Sequence, residues 1–175
     1  MLGPIKILFL SAVLTAAPQL QHAGKNYAAQ SLPDDLSESE GQRILKEQRP
    51  KSRVEMAFNV SDARLDSALE RARASEYSTA AQNLEVYADL ISYADHITHQ
   101  LTGDQAKERN ACLKVIEQRI FKKTQTLDAV ARELPFNYRE SCDRVREKAK
   151  SVRLRALNDL VGGGKMFEPT GDDGN

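Results

Sequence analysis

The most regular pattern in the chain lies between residues 113 and 160. Leu113, Ile116, Ile120, Lys123, Leu127, Val130 and Leu134 advance in alternating steps of three and four, the spacing that keeps side chains on one helical face. Only Lys123 is not apolar, and its methylene stem can lie over a core while the charge stays in water. Pro135 ends this segment. Asn137 stands where it can cap the next, in which Cys142, Val145, Ala149, Val152, Ala156 and Leu160 repeat the stripe. Strict three-four stepping across a short connection predicts an antiparallel pair of helices, over about 104–134 and 137–161.

Upstream, Val54, Phe58, Leu65, Ala68, Leu69 and Ala72 predict a helix over about 53–74. Val54, Met56, Phe58 and Val60 also alternate as a strand would, but the pattern continues at spacings no strand can use. Tyr77, Ala80, Ala81, Leu84, Tyr87, Ala88, Ile91, Ala94 and Ile97 predict another helix, over about 76–100. Thr102 and Gln105 have the spacing of a capping box ahead of the third long segment. A short helix over about 37–48, anchored by Ile44 and Leu45, precedes a boundary at Pro50. The expected fold is all-α: an antiparallel, up-down bundle of three or four long helices, preceded by a short N-terminal one.

The ends read differently. A lone lysine, Lys6, precedes an apolar run from Ile7 to Ala17. That run has the length of a signal-peptide core and falls short of a membrane span. Cleavage after Ala23 fits best, and no cysteine stands near to carry a lipid. The expected organisation is a signal peptide over 1–23, a linker containing the short helix over 24–52, the bundle over 53–161, and a flexible tail over 162–175 behind Gly162, Gly163 and Gly164. Trp is absent and Gly and Pro are sparse, which suits helices and argues against a sheet protein.

Charge adds an asymmetry. Residues 24–101 hold 9 basic and 13 acidic side chains, whereas residues 102–160 hold 14 and 9. An acidic half packing beside a basic half accounts for this. A face made of Arg146, Lys150 and Arg153 on the last helix offers an anionic membrane surface as a partner. However, Glu140, Asp143 and Glu147 lie among these residues and can pair with them. No nucleic-acid partner is expected.

Residues Ser75-Glu76-Tyr77-Ser78-Thr79-Ala80 resemble the turn between the paired helices of tetratricopeptide units. The resemblance implies that Tyr77 wedges between the helices and Ala80 lets them approach, with Ser75 where that family has glycine. No second copy of the signature follows. The stretch from Val54 to Leu101, with the pair ending at Leu160, resembles exported bacterial helical-hairpin domains of unassigned function. That likeness implies a fold and a compartment, but no activity. Leu101-Thr102-Gly103-Asp104-Gln105 spells Leu-Thr-x-x-Gln, which resembles the signature of small periplasmic helical stress chaperones. The same letters are what a capping box after a leucine looks like.

Candidate chemistry is thin. His96 and His99 share a helix face and have the spacing to hold one zinc ion, with Asp95 or Asp89 as an oxygen ligand. Two imidazoles on one turn are more often solvated surface residues. No Gly-x-Ser-x-Gly, glycine-rich phosphate loop or His-Glu-x-x-His occurs, so neither an enzyme nor a cofactor is expected. Asn59-Val60-Ser61 is a glycosylation sequon by letter, but it falls inside a predicted helix. The two cysteines, Cys112 and Cys142, are expected to remain unpaired. If the last two helices turn near Pro135, Cys142 lies level with Asp128 and Cys112 with Asn158. That separation is about 24 Å along the axis, against the roughly 7 Å a disulfide allows. The resulting expectation is a non-catalytic extracytoplasmic protein acting through a protein partner or a second copy of itself. A Leu-Thr-x-x-Gln chaperone is the alternative, and a metal-binding protein using His96 and His99 the third.

Overall fold

The computed structural model describes residues 32–162. The expected signal segment, the first part of the linker and all but the start of the tail lie outside the described residues. Within them the chain is all-α and has no strand. The elements are α1 (Glu38–Leu45), α2 (Pro50–Arg73), α3 (Tyr77–His99), a single 3-10 turn (Gly103–Gln105), α4 (Ala106–Glu133) and α5 (Phe136–Leu160). Val54–Val60 is helical, so the longer-range spacing and not the local alternation decides that segment.

Several helix ends differ from expectation. Pro50 does not precede α2 but opens it, at a first-turn position where its missing N–H costs nothing. At the start of α4, the Thr102 side chain makes no capping hydrogen bond. Gly103, at φ 58°, instead leads into the 3-10 turn. Pro135 stands as the N-cap of α5, which puts Asn137 inside the first turn and not at the cap. A complete capping box does form at α1, where Glu40 N–H donates to Ser37 Oγ at 3.3 Å and Ser37 N–H donates to the Glu40 carboxylate at 2.9 Å. Ile44 anchors α1 in the core as expected. Leu45 does not, being 52% exposed.

The α2–α3 turn is a Schellman motif. Ser75 N–H donates to Ala72 C=O at 3.0 Å, and Glu76 N–H reaches back to Arg71 C=O at 2.9 Å. The motif requires a left-handed residue, and Ser75 fills it at φ 62°. It therefore occupies glycine's usual place and conformation without glycine's freedom.

Two hairpins, α2–α3 and α4–α5, lie one upon the other. Going up α2, Lys51, Asp62 and Asp66 meet Glu108, Arg119 and Lys123 going up α4, so these neighbours run parallel. On the other side Glu85 and Asp95 of α3 meet Ser141 and Arg155 of α5, again in parallel. Within the second hairpin the order reverses: Arg109, Glu117 and Asp128 of α4 pair with Asp159, Arg153 and Arg146 of α5. The connection after α3 accordingly crosses a diagonal of the bundle, and α2 and α5 do not touch. Helices therefore alternate in direction along the chain, as expected, while neighbours across the two layers are parallel.

The charge asymmetry lies along this layer boundary. Asp62–Arg119 (2.9 Å), Asp66–Lys123 (2.7 Å), Asp95–Arg155 (2.6 Å) and Glu85–Arg144 (3.5 Å) all set an acid of the first hairpin against a base of the second. Lys123 is partly covered and joins both oxygens of Asp66, so it tethers a layer as well as covering the core. α3 is the most enclosed helix. Beyond its expected stripe it also buries Val86, Leu90 and Tyr93, because three helices surround it. Arg64 adds the first layer's cover, bonding the Glu40 carboxylate of α1 at 3.0 and 2.5 Å and Asn83 of α3 at 3.2 Å. Burial works against the Glu40 charge, but the Arg64 and Ser37 hydrogen bonds hold its pKa below the ordinary value.

Candidate functional site

The sequence-selected polar residues of α3 sit in a cluster that joins three helices. Thr98 and Ile97 point into the core on the last turns of α3, leaving Asp95 and His99 to face α4 and α5. His99 Nδ1 lies 2.8 Å from the Asp95 carbonyl oxygen and 3.3 Å from Asp95 Oδ1, and its Nε2 lies 3.2 Å from Asp159 Oδ2 of α5. Arg109 of α4 bonds the same Asp159 oxygen at 2.5 Å, and Arg155 of α5 bonds Asp95 Oδ2 at 2.6 Å. The Asp95 side chain is only 8% exposed, and its Oδ1 faces the ring without a well-aligned donor. The Asp95 carboxylate raises the His99 pKa above its ordinary value, and the Asp95 carbonyl and Asp159 add to this against the opposing effect of burial.

This arrangement does not gather the expected metal ligands. His96 turns outward, its Nε2 2.8 Å from the Gln100 amide. Both His99 nitrogens face oxygen atoms, and Asp95 is engaged by Arg155. Asp89 stands with Glu85 and Lys148 among its charged neighbours. Among the described residues no group of three His, Cys, Asp or Glu side chains could hold a metal ion. A shallow cavity of about 280 Å³ beside the cluster is lined by Ser92, Asp95, His96, His99, Lys148, Val152 and Arg155.

The cationic face of α5 is broken by pairing. Arg146 binds Asp128 at 2.8 Å and Asp143 at 3.3 Å, Arg153 binds Glu117 at 3.1 Å, and Lys150 lies 4.0 Å from Glu147. What remains there is an open groove of about 470 Å³ on the outer side of α4 and α5. Ile120, Leu127 and Ala149 form its floor, and Thr124, Asp128, Glu147, Lys150 and Leu154 form its walls. At its edge the Phe121 ring stands 60% exposed, with the Arg153 guanidinium 4.5 Å above its centroid. Sequence periodicity missed this groove because Phe121 falls outside the core stripe. An aromatic one position beyond a buried Ile120 was the available signal.

Most of the remaining sequence-selected residues lie within the packing. Leu101 is fully buried and pins the turn before α4, so the Leu-Thr-x-x-Gln letters lie on a helix connection. Asn59, exposed on α2, accepts from Arg119 at 2.8 Å, and Ser61 is buried, so the sequon lies within a helix. Tyr77 packs on Tyr138 of α5 with ring centroids 6.0 Å apart, and Ala80 is fully buried at the α2–α3 approach. Cys112 and Cys142 are free and buried. Burial pushes the Cys112 thiol up to about 12 and the Cys142 thiol up to about 11, the direction opposite to that of a reactive thiolate. Unbroken α4 separates the two. No helix among the described residues is long and apolar enough to cross a membrane. Compared with models of protein families, with curated proteins and with solved structures, the chain matches none.

Proposed function

We propose that this is an exported, non-catalytic helical protein that acts by binding another protein or itself through the outer side of α4 and α5. The observation that carries the reading is the unequal finish of the two ends of the layered stack. The first hairpin is covered: α1 lies on α2, with Ile44 buried and Arg64 joining Glu40 to Asn83. Among the described residues the second hairpin has no such cover. Its outer side shows a groove with an apolar floor and an exposed Phe121. Stacked helical layers have polar caps where they end in water, and an uncapped end is a docking face. Export rests on the signal-like N-terminus, Ile7 to Ala17. Affinity capture from an envelope extract, using the protein and its Phe121→Glu variant as baits, tests the reading. A specific partner or a second copy held by the first bait and lost from the second supports it. Identical recovery by both removes the face from consideration.

A further inference from the structure

The outer face of α4 and α5 has the features of a surface made to meet itself. It carries both a projection and a depression: the Phe121 ring at its edge and the roughly 470 Å³ groove beside it. A two-fold contact needs this combination, because the residue that inserts and the residues that receive it must lie on one chain. Its charge is also self-compatible. Arg146 is paired with Asp128, Arg153 with Glu117, and Lys150 lies 4.0 Å from Glu147, so the charges around the groove are largely neutralised and do not set it against a second copy. A strongly acidic or basic partner finds no opposing potential to read.

The opposite end of the stack decides the kind of assembly. Head-to-tail growth would seat the α4–α5 face of one copy on the α2–α3 face of the next. Residues 32–45 already lie over that side: Leu32, Leu36 and Ile44 pack on the core, and Glu40 is clamped by Arg64. A face that cannot be met by the far end of the same molecule can still be met by its own likeness. We infer that the protein forms a closed, two-fold dimer through the outer side of α4 and α5, with Phe121 of each copy seated in the groove of the other. This rests on the reading of that face as a docking surface and adds the identity of its occupant.

The test is sedimentation velocity on the purified protein across a concentration series, with Phe121→Glu, Leu154→Glu and, as a control for exposed apolar residues elsewhere, Phe136→Glu. Phe136 is 87% exposed at the α4–α5 turn, away from the groove. Circular dichroism melts establish that each variant folds. The expected result is a dimer for the parent and for Phe136→Glu. Phe121→Glu and Leu154→Glu should raise the dissociation constant about tenfold or more, as the loss of an interface anchor does. A parent that stays monomeric at the highest concentration overturns the dimer. Capture of a different protein that Phe121→Glu abolishes would then still leave the face as a docking surface. A parent dimer indifferent to both groove variants overturns this dimer geometry, and the docking face then stands or falls on the capture experiment alone.

Discussion

Replacing His99 by Gln should make the protein less stable in acid and leave it almost unchanged in alkali. The ring stands between two oxygen acceptors, the Asp95 carbonyl at 2.8 Å from Nδ1 and Asp159 Oδ2 at 3.2 Å from Nε2. A neutral imidazole carries one N–H and can donate on only one side; the imidazolium donates on both and its charge is matched by the Asp95 carboxylate, 3.3 Å from Nδ1, and by Asp159. The folded state thus binds the proton more tightly than the unfolded chain, which agrees with the raised pKa. The stabilisation is fully present below the unfolded value of about 6.5 and is lost as pH rises through the higher folded value. The side chain is 32% exposed, so the contribution lies between that of a surface pair and a buried charged hydrogen bond, about 1–2 kcal/mol. For a chain of this size that is about 2–8 °C in melting temperature. Thermal unfolding followed by circular dichroism, parent against His99→Gln at intervals from pH 5 to 9, reads this directly. His96 is common to both proteins and drops out of the difference. A gap between the two melting curves that is flat with pH, or that widens in alkali, would refute the reasoning.

Three further outcomes follow from the packing. Ile120→Ala should cost about 2–5 kcal/mol in denaturant unfolding, because a buried side chain leaves a cavity. Lys123→Ala should cost about 1 kcal/mol, for the Asp66 pair and the stem; equal costs would mean the inward face is misassigned. Ser75→Gly should raise stability by about 0.5–1 kcal/mol, since glycine accepts the left-handed turn without the Cβ conflict, and a loss would show that the Tyr77–Ser75 hydroxyl contact at 3.3 Å outweighs the backbone term. Thiol titration should find both cysteines slow to react in the native protein and two free thiols on denaturation, whereas a protected pair without reductant would require α4 to be broken.

The parts of the fold that sequence made legible are those governed by local periodicity. The stripe from Leu113 to Leu134 is buried throughout except at Lys123, since three-four stepping reports directly on which side of a helix is dry. The antiparallel register of α4 and α5 follows from one turn at Pro135, and the pairs Arg153–Glu117 and Arg109–Asp159 fall where that turn puts them. What periodicity does not encode is which hairpin lies on which. The parallel pairing of α2 with α4 depends on side chains 57 residues apart, such as Asp66 and Lys123, and only the acid-base imbalance between the halves hinted at it. The His99 cluster illustrates the same limit. Spacing on α3 singled out Asp95, His96 and His99, but Asp159 and the two arginines reach the site from other helices, and their arrival turns two of those three residues into an ion-pair network. Helix ends were misplaced by a few residues because a proline reads alike before a helix and within its first turn.

The layered arrangement also orders the folding of the chain in time. Each hairpin closes around a short turn, by contacts between residues near in sequence, on the fast timescale of helix and small-loop formation. The polar ties between layers join residues 56 to 60 positions apart. Closing a loop of that length costs about 1.5 kcal/mol more entropy than closing one of about ten residues. Docking of one hairpin on the other is therefore the late and slower event. Until it happens, α2–α3 stands with Asp62, Asp66 and Glu85 unmatched. The species most exposed to proteolysis and misassociation is thus a correctly formed hairpin waiting for its second layer.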